Sequence, residues 1–283
     1  MNRTGTLYAI AASTAFGCGT AIIGVVKRPE LVAFTVVGAL VTLCLAAGPT
    51  NIITSLRKHP RLFISIGVLD TINIITFYGG LALGPVPLVT ALHLTAPLWL
   101  ILVAVLRRRR PPTWLLASEV IVVVGALVVG AMKPGGDYTA SGVVWGSILA
   151  LMSALALVAL NLLVASRAVD HDPATAAGAQ FIIVLALLSP LLLLSANFPV
   201  VDIAWLTVAG MFGLAPGLIF IWRALQRLDP STTTVIGLNE AVVASVIVAV
   251  IVPGSVTVYA AMSGALILTA MAAEIWSNRT SVG

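Results

Sequence analysis

LGPVPLVTALHLTAPLWLILVAV, residues 83–105, is echoed 145 positions later by LDPSTTTVIGLNEAVVASVIVAV, residues 228–250. Leu83, Pro85, Ala96, Val103, Ala104 and Val105 match Leu228, Pro230, Ala241, Val248, Ala249 and Val250 in register. Further along, GALVVGAM at Gly125 to Met132 resembles GALILTAM at Gly264 to Met271 at an offset of 139. The six residues lost between the two blocks correspond to the RRRRPP loop at Arg107 to Pro112, which the second half lacks. The order of the blocks predicts a duplication into units 1–136 and 137–283, because self-similarity at a fixed period marks repeated architecture.

The repeated stretches are too apolar for water. Of 283 residues, 60% are hydrophobic and 9% charged, against about 25% charged in a soluble domain, and the mean hydropathy is +1.11. So little polar surface excludes a soluble globule. The net charge of +5 does not point to nucleic acid, since the basic residues sit in short clusters between apolar runs. Cys18 and Cys44 each lie inside such a run, with no disulfide framework and no metal-ligand spacing. No cofactor and no metal site are expected.

A helix needs about 20 apolar residues to cross a bilayer, and ten runs meet that length: Gly5 to Val26, Leu31 to Gly48, Leu62 to Leu83, Pro85 to Leu106, Thr113 to Met132, Ser141 to Ser166, Ala174 to Ala196, Ile203 to Leu225, Thr232 to Val252 and Val256 to Ile275. These runs are apolar on every side, unlike the alternating segments of a β-barrel. The expected fold is therefore all-α and integral to the membrane, with ten transmembrane helices. Lys and Arg set orientation, because cytoplasmic loops hold the excess. With the N-terminus inside, 12 basic residues fall on the cytoplasmic face and only Lys27, Arg28 and Lys133 on the other. Both termini are expected in the cytoplasm of a multi-pass protein of the cell inner membrane, and the Arg107 to Arg110 run reads as part of this topology signal. Five crossings per unit invert the second copy, giving two inverted five-helix repeats, an arrangement suited to exposing a midplane cavity to each side in turn.

Acidic residues at mid-membrane cost about 2.5–3.5 kcal/mol each to insert, so each needs a partner, a proton or a wet cavity. Asp70 lies mid-span with Asn73 and Phe77 on the same helical face. It suits either a cationic group or coupling proton in a pathway, or a protonated carboxyl paired to a neighbouring helix. Glu240 shares a face with Thr233, Gly237 and Ala244. It suits a pathway role, proton coupling included, or a packing hydrogen bond. His93 precedes Pro97 by one turn and either relays protons, binds a solute carboxylate or bonds across helices. Glu119, near the arginine run, reads as snorkelling or paired there. Asn161 is a candidate ligand; Gln180, Ser13 and Thr20 read as interhelical adhesive. Tyr8, Trp114, Trp145, Trp205, Trp222 and Trp276 fall near span ends, where aromatic belts form. Phe16, Phe77, Trp99 and Phe212 lie deeper, the first three being candidate lining residues.

No GxxxxGK[ST], HExxH or GxSxG occurs, so neither ATP drive nor hydrolase chemistry is expected and no catalytic residue is assigned. The alternative to a transporter is a non-transporting membrane protein that binds lipid or serves as an assembly partner of another complex.

FYGGLALGPVPLVTALHLTAPLW at Phe77 to Trp99, IWRALQRLDPSTTTVIGLNEAVV at Ile221 to Val243, the GAL segments ending each half and AFGCGTAI in the first span resemble the EamA-type ten-helix members of the drug/metabolite transporter superfamily. The chain departs from their pattern in having Phe16-Gly17 for Trp-Gly, and Ala241 for the Pro that usually follows Glu240. The resemblance implies secondary transport of a small polar or zwitterionic metabolite, such as an amino acid or amine, by alternating access, with export the commoner direction. It also implies that the first, third, fourth, eighth and ninth spans border the pathway. Expected partners are a small-molecule substrate, membrane lipid and a coupling proton, without nucleic acid, in a monomer or homodimer.

Overall fold

The computed structural model describes residues 3–96, 99, 121, 125, 138–167, 170–228, 230–254 and, between 256 and 269, all but 260, 263 and 267. All of the expected fifth span but Ile121 and Gly125, together with Glu119, the Arg107 to Arg110 run, Pro97, Trp114 and Trp276, lies outside them.

All elements among the described residues are helical. The helix α1 (Arg3–Val26) is followed by a short 3-10 turn and α2 (Val32–Ala47). Next come α3 (Pro49–Lys58), α4 (Pro60–Leu83) and α5 (Val86–His93). The second half holds α6 (Ala140–Ala165), α7 (Pro173–Leu188) and α8 (Val200–Val208), which passes through a π-helical turn (Ala209–Leu214) into α9 (Ala215–Leu225). It ends with α10 (Pro230–Gly237) and α11 (Asn239–Ile251). Proline opens α3, α4 and α7, where its missing N–H leaves no orphan donor. Asp172 caps α7 by accepting the Thr175 backbone N–H at 2.9 Å.

Among the described residues, seven helical stretches are long and apolar enough to cross a membrane: Arg3–Val26, Pro29–Ala47, Pro60–Leu83, Ala140–Ala165, Pro173–Leu194, Val200–Leu225 and Thr232–Ile251. The chain is a multi-pass α-helical membrane protein. Its outward faces agree: Leu45, Leu193 and Val250 are 81%, 88% and 75% exposed, a surface fit for lipid rather than water.

Among the described residues four spans depart from the continuous helices that their hydropathy predicts, the seventh by passing after Leu188 into a 3-10 stretch (Ser189–Leu194). The fourth stops at His93, turns through residues 94–95 and resumes at Ala96, with the Thr95 N–H bonded to the Leu92 carbonyl at 3.2 Å. The ninth breaks between Gly237 and Asn239, with the Ala241 N–H on the Leu238 carbonyl at 3.3 Å. The eighth widens into its π turn, a distortion that frequently marks functional sites. A further helix, α3, occupies the link between the second and third spans. Gly48, at φ +81°, turns the chain into it, and it anchors itself through Ile52, which is buried against Gly178 of α7.

Small residues bring the helices together, as they do where lipid offers no hydrophobic drive between them. α1 packs on α9, the π turn and α11; α4 on α6 and α7; α2 on α7 and the π turn; α5 on α6 and α11. A Cβ at Gly210 would overlap the Thr35 carbonyl, and one at Gly213 would stand 2.7 Å from the Gly19 backbone. One at Gly67 would stand 3.2 Å from the Gln180 carbonyl, and one at Gly80 2.9 Å from the Gly146 carbonyl.

Candidate functional site

Two polar assemblies lie where the helices converge. In the first, Gln180 of α7 donates from Nε2 to Oδ2 of Asp70 at 2.6 Å, and Asn73, one turn along α4, donates from Nδ2 to Oδ1 at 3.3 Å. Ser153 of α6 donates to Asn73, its Oγ lying 2.7 Å from Oδ1 and 3.0 Å from the backbone carbonyl. His93, at the end of α5, meets the same Oγ through Nδ1 at 2.8 Å, and its ring stacks on Phe77 with centroids 4.1 Å apart. The chain of bonds therefore crosses four helices. In the second assembly Thr20 of α1 donates to Oε1 of Glu240 on α11 at 2.9 Å. Asp70, His93 and Glu240 are all buried.

Both assemblies border one cavity of about 130 Å³, with room on the order of ten waters. Its wall includes Phe16, Asp70, Asn73, Phe77, His93, Asn161 and Glu240, seven of the eight residues singled out from the sequence. Trp99 is the exception and is not part of this wall. Phe212, read as lying deep in its span but not as a lining residue, is 69% exposed on the outer face. Trp222 is a second correction: it reads as an interfacial belt residue, yet it is 1% exposed and lines the cavity. Trp145 and Trp205 are exposed, as belt residues are. Thr20 and Gln180, read as interhelical adhesive, do bond across helices and line the cavity as well.

The cavity is asymmetric in depth. Leu157, Leu160 and Val164 line it from the last turns of α6, and Leu218, Trp222 and Leu225 from the last turns of α9. Both ends lie at the face where the N-terminus starts, so these apolar residues are on that side, interspersed with Ser13, Asn161, Thr233 and Thr234, and the acidic groups are at mid-depth. Toward the opposite face the helices close up: a Cβ at Gly24 would collide with Val86, and Gly80 is pressed on Gly146. Among the described residues no Lys or Arg lines the cavity, leaving two carboxyl groups without a fixed cation. Ser153 carried no signal in the sequence, since a serine inside an apolar run resembles any other interhelical hydroxyl.

No family model matches the chain, and no curated protein matches it by sequence. Among solved structures, one described as "Crystal structure of protein" is similar with a TM-score of 0.62 and 19% sequence identity, over 98% of this chain and 97% of that one. The likeness is one of fold.

Proposed function

We propose that this protein is a secondary transporter that moves a small polar or zwitterionic metabolite, such as an amino acid or amine, across the membrane by alternating access, and exports it. In this reading it is an EamA-type member of the drug/metabolite transporter superfamily, with ten helices in two inverted halves and both termini in the cytoplasm. One observation carries the reading: Asp70, His93 and Glu240, from three different spans, converge on a single cavity at mid-depth. Residues serving only private helix contacts have no reason to share a void. For the same reason a non-transporting role in lipid binding or assembly is the weaker account.

Support for two inverted halves comes from equivalences at the offset of 145. Thr95 and Glu240 then occupy one position, and each stands at a helix break. Paired interruptions of this kind are the recurring sign of a transporter's binding site. Exchanging each span for its counterpart five later also maps the packing onto itself. The contact of α1 with α9 becomes that of α6 with α4, and the contact of α1 with α11 becomes that of α6 with α5. At the residue level, Thr35 exchanges with Gln180, and the carbonyls of both receive a glycine of the neighbouring helix, Gly210 and Gly67.

Counterflow in proteoliposomes, screened over amino acids, polyamines and nucleosides, tests the proposal. The expected result is saturable exchange of one class, responsive to an imposed pH gradient if Glu240 or His93 couples transport to protons. Absence of exchange for every solute, by protein shown to be folded, would remove it.

A further inference from the structure

Counting hydrogens along the buried chain fixes its direction. The Ser153 hydroxyl has one proton, and the backbone carbonyl of Asn73, at 3.0 Å, can only accept. Asn73 Oδ1, at 2.7 Å, also accepts, because its Nδ2 is turned to Asp70. The Ser153 proton is therefore spent on Asn73, and the 2.8 Å contact with His93 requires Nδ1 of the imidazole to be the donor. A neutral histidine protonated on Nδ1 presents Nε2 as an acceptor. Nε2 has no partner among the described residues, and His93 lines the cavity.

The remaining open positions have the same sense. Thr20 occupies one oxygen of Glu240, leaving Oε2 without a partner among the described residues. Gln180 turns its amide nitrogen to Asp70, so its Oε1 is a buried acceptor that nothing described satisfies. Three helices thus supply three unspent acceptors, His93 Nε2, Glu240 Oε2 and Gln180 Oε1, in a wall that holds two carboxyl groups and no Lys or Arg among the described residues. Gln180 Oε1, shielded from water, costs free energy until a donor arrives, while His93 Nε2 and Glu240 Oε2 face a cavity where a guest's N–H groups would take the place of water. A guest that brings positive charge and N–H groups together satisfies both demands. The side of the cavity lined by Leu157, Leu160, Leu218 and Trp222 then takes an apolar body.

We propose that the cavity recognises a protonated primary or secondary amine on an apolar or aromatic body, through its N–H groups as well as its charge. This rests on the transporter reading and narrows it, since a zwitterion would bring a free carboxylate to a wall without a cation and a quaternary ammonium would bring no donor. Titration calorimetry on the purified full-length protein tests it with three probes: phenethylamine, its N,N,N-trimethyl derivative and phenylalanine. Phenethylamine is expected to bind at least tenfold more tightly than either of the others. His93→Phe keeps a ring against Phe77 and removes Nε2; it should weaken phenethylamine while leaving the trimethyl derivative unchanged, so that the preference shrinks. Nitrogen NMR of histidine-labelled protein should find His93 protonated on Nδ1. Equal or tighter binding of the trimethyl derivative or of phenylalanine, no binding of any probe, or a proton on Nε2 instead would overturn the proposal. The two levels separate cleanly. Amine binding without counterflow would remove the transporter reading and leave this inference standing, whereas counterflow of phenylalanine but not phenethylamine would do the reverse.

Discussion

Gln180 on α7 gives its amide hydrogen to Oδ2 of Asp70 on α4 at 2.6 Å, while its own Oε1 is buried and unpartnered among the described residues. The pair joins two helices from different halves of the sequence and fixes a carboxyl group at the wall of the cavity. Because the second amide atom is uncommitted, the pair tolerates a change of polarity at position 70.

Asp70→Asn should therefore fold and insert. The new amide accepts from Asn73 through its oxygen and donates to Gln180 after that side chain flips, so the interhelical bond persists with its direction reversed. The charge does not. Thermal unfolding in detergent is expected within a few degrees of the parent, while amine flux in proteoliposomes falls at least tenfold. Flux at the parent level would show that Asp70 carries no solute.

Thr20 and Glu240 allow structure and transport to be separated from the other direction. Thr20→Val removes the hydroxyl at nearly constant volume and leaves a buried carboxyl unbonded. Interhelical hydrogen bonds in membrane proteins are worth about 0.6–1.7 kcal/mol, and unfolding free energy should fall by about that amount. Glu240→Gln retains an oxygen for the Thr20 hydroxyl to donate to, so stability should hold while transport and any response to a pH gradient are lost. The two variants should thus move opposite readouts.

Hydropathy made the spans legible because about 20 apolar residues in a row have no other stable home, and the face shared by Asp70, Asn73 and Phe77 followed from helical spacing alone. The helix breaks at residues 94–95 and 237–238 were not legible. Only Pro97 hinted at the first, and the ninth span has no proline after Pro230 to signal its own. Trp222 failed as a belt residue because its side depends on rotation about the eighth span, and the π turn resets that rotation without leaving a mark in composition. Gln180 reads correctly as interhelical adhesive, but its place in the cavity wall was not legible and Ser153 gave no signal, because a single polar residue in an apolar run shows neither its partner nor its depth.

Gly210 offers a test of the packing that holds the two halves of the sequence together. Any Cβ there would overlap the backbone of Thr35 on α2, and backbone has no rotamer with which to yield. Gly210→Val should cost about 3 kcal/mol or more, above the usual overpacking range of roughly 1–3 kcal/mol, and should reduce the yield of folded protein. Gly237 is the matched control, since nothing lies within 4 Å of a Cβ built there, and Gly237→Ala should express and unfold like the parent. Equal behaviour of the two variants would mean that the α2 contact with the π turn is not close-packed.

Outside the spans, one histidine should leave a pH signature. His171 follows α6 at the face where the N-terminus starts. Its ring meets that of His59 edge-on, with centroids 5.1 Å apart, and packs on Phe63 at 5.5 Å. Partial burial is the main influence holding the imidazole below its usual range; the neighbouring His59, Arg167 and Lys58 push the same way, and Asp170 opposes them. The folded protein therefore favours neutral His171 more than the unfolded chain does, whose histidine titrates near 6.5. This contribution to stability is present above about pH 6.5 and fades as the pH falls through the lower, folded value. Thermal unfolding followed from about pH 8 to about pH 5 should show the parent losing more stability than His171→Gln, with the two curves separating only on the acid side. Parallel curves over that range would mean that His171 does not prefer its neutral form in the folded protein.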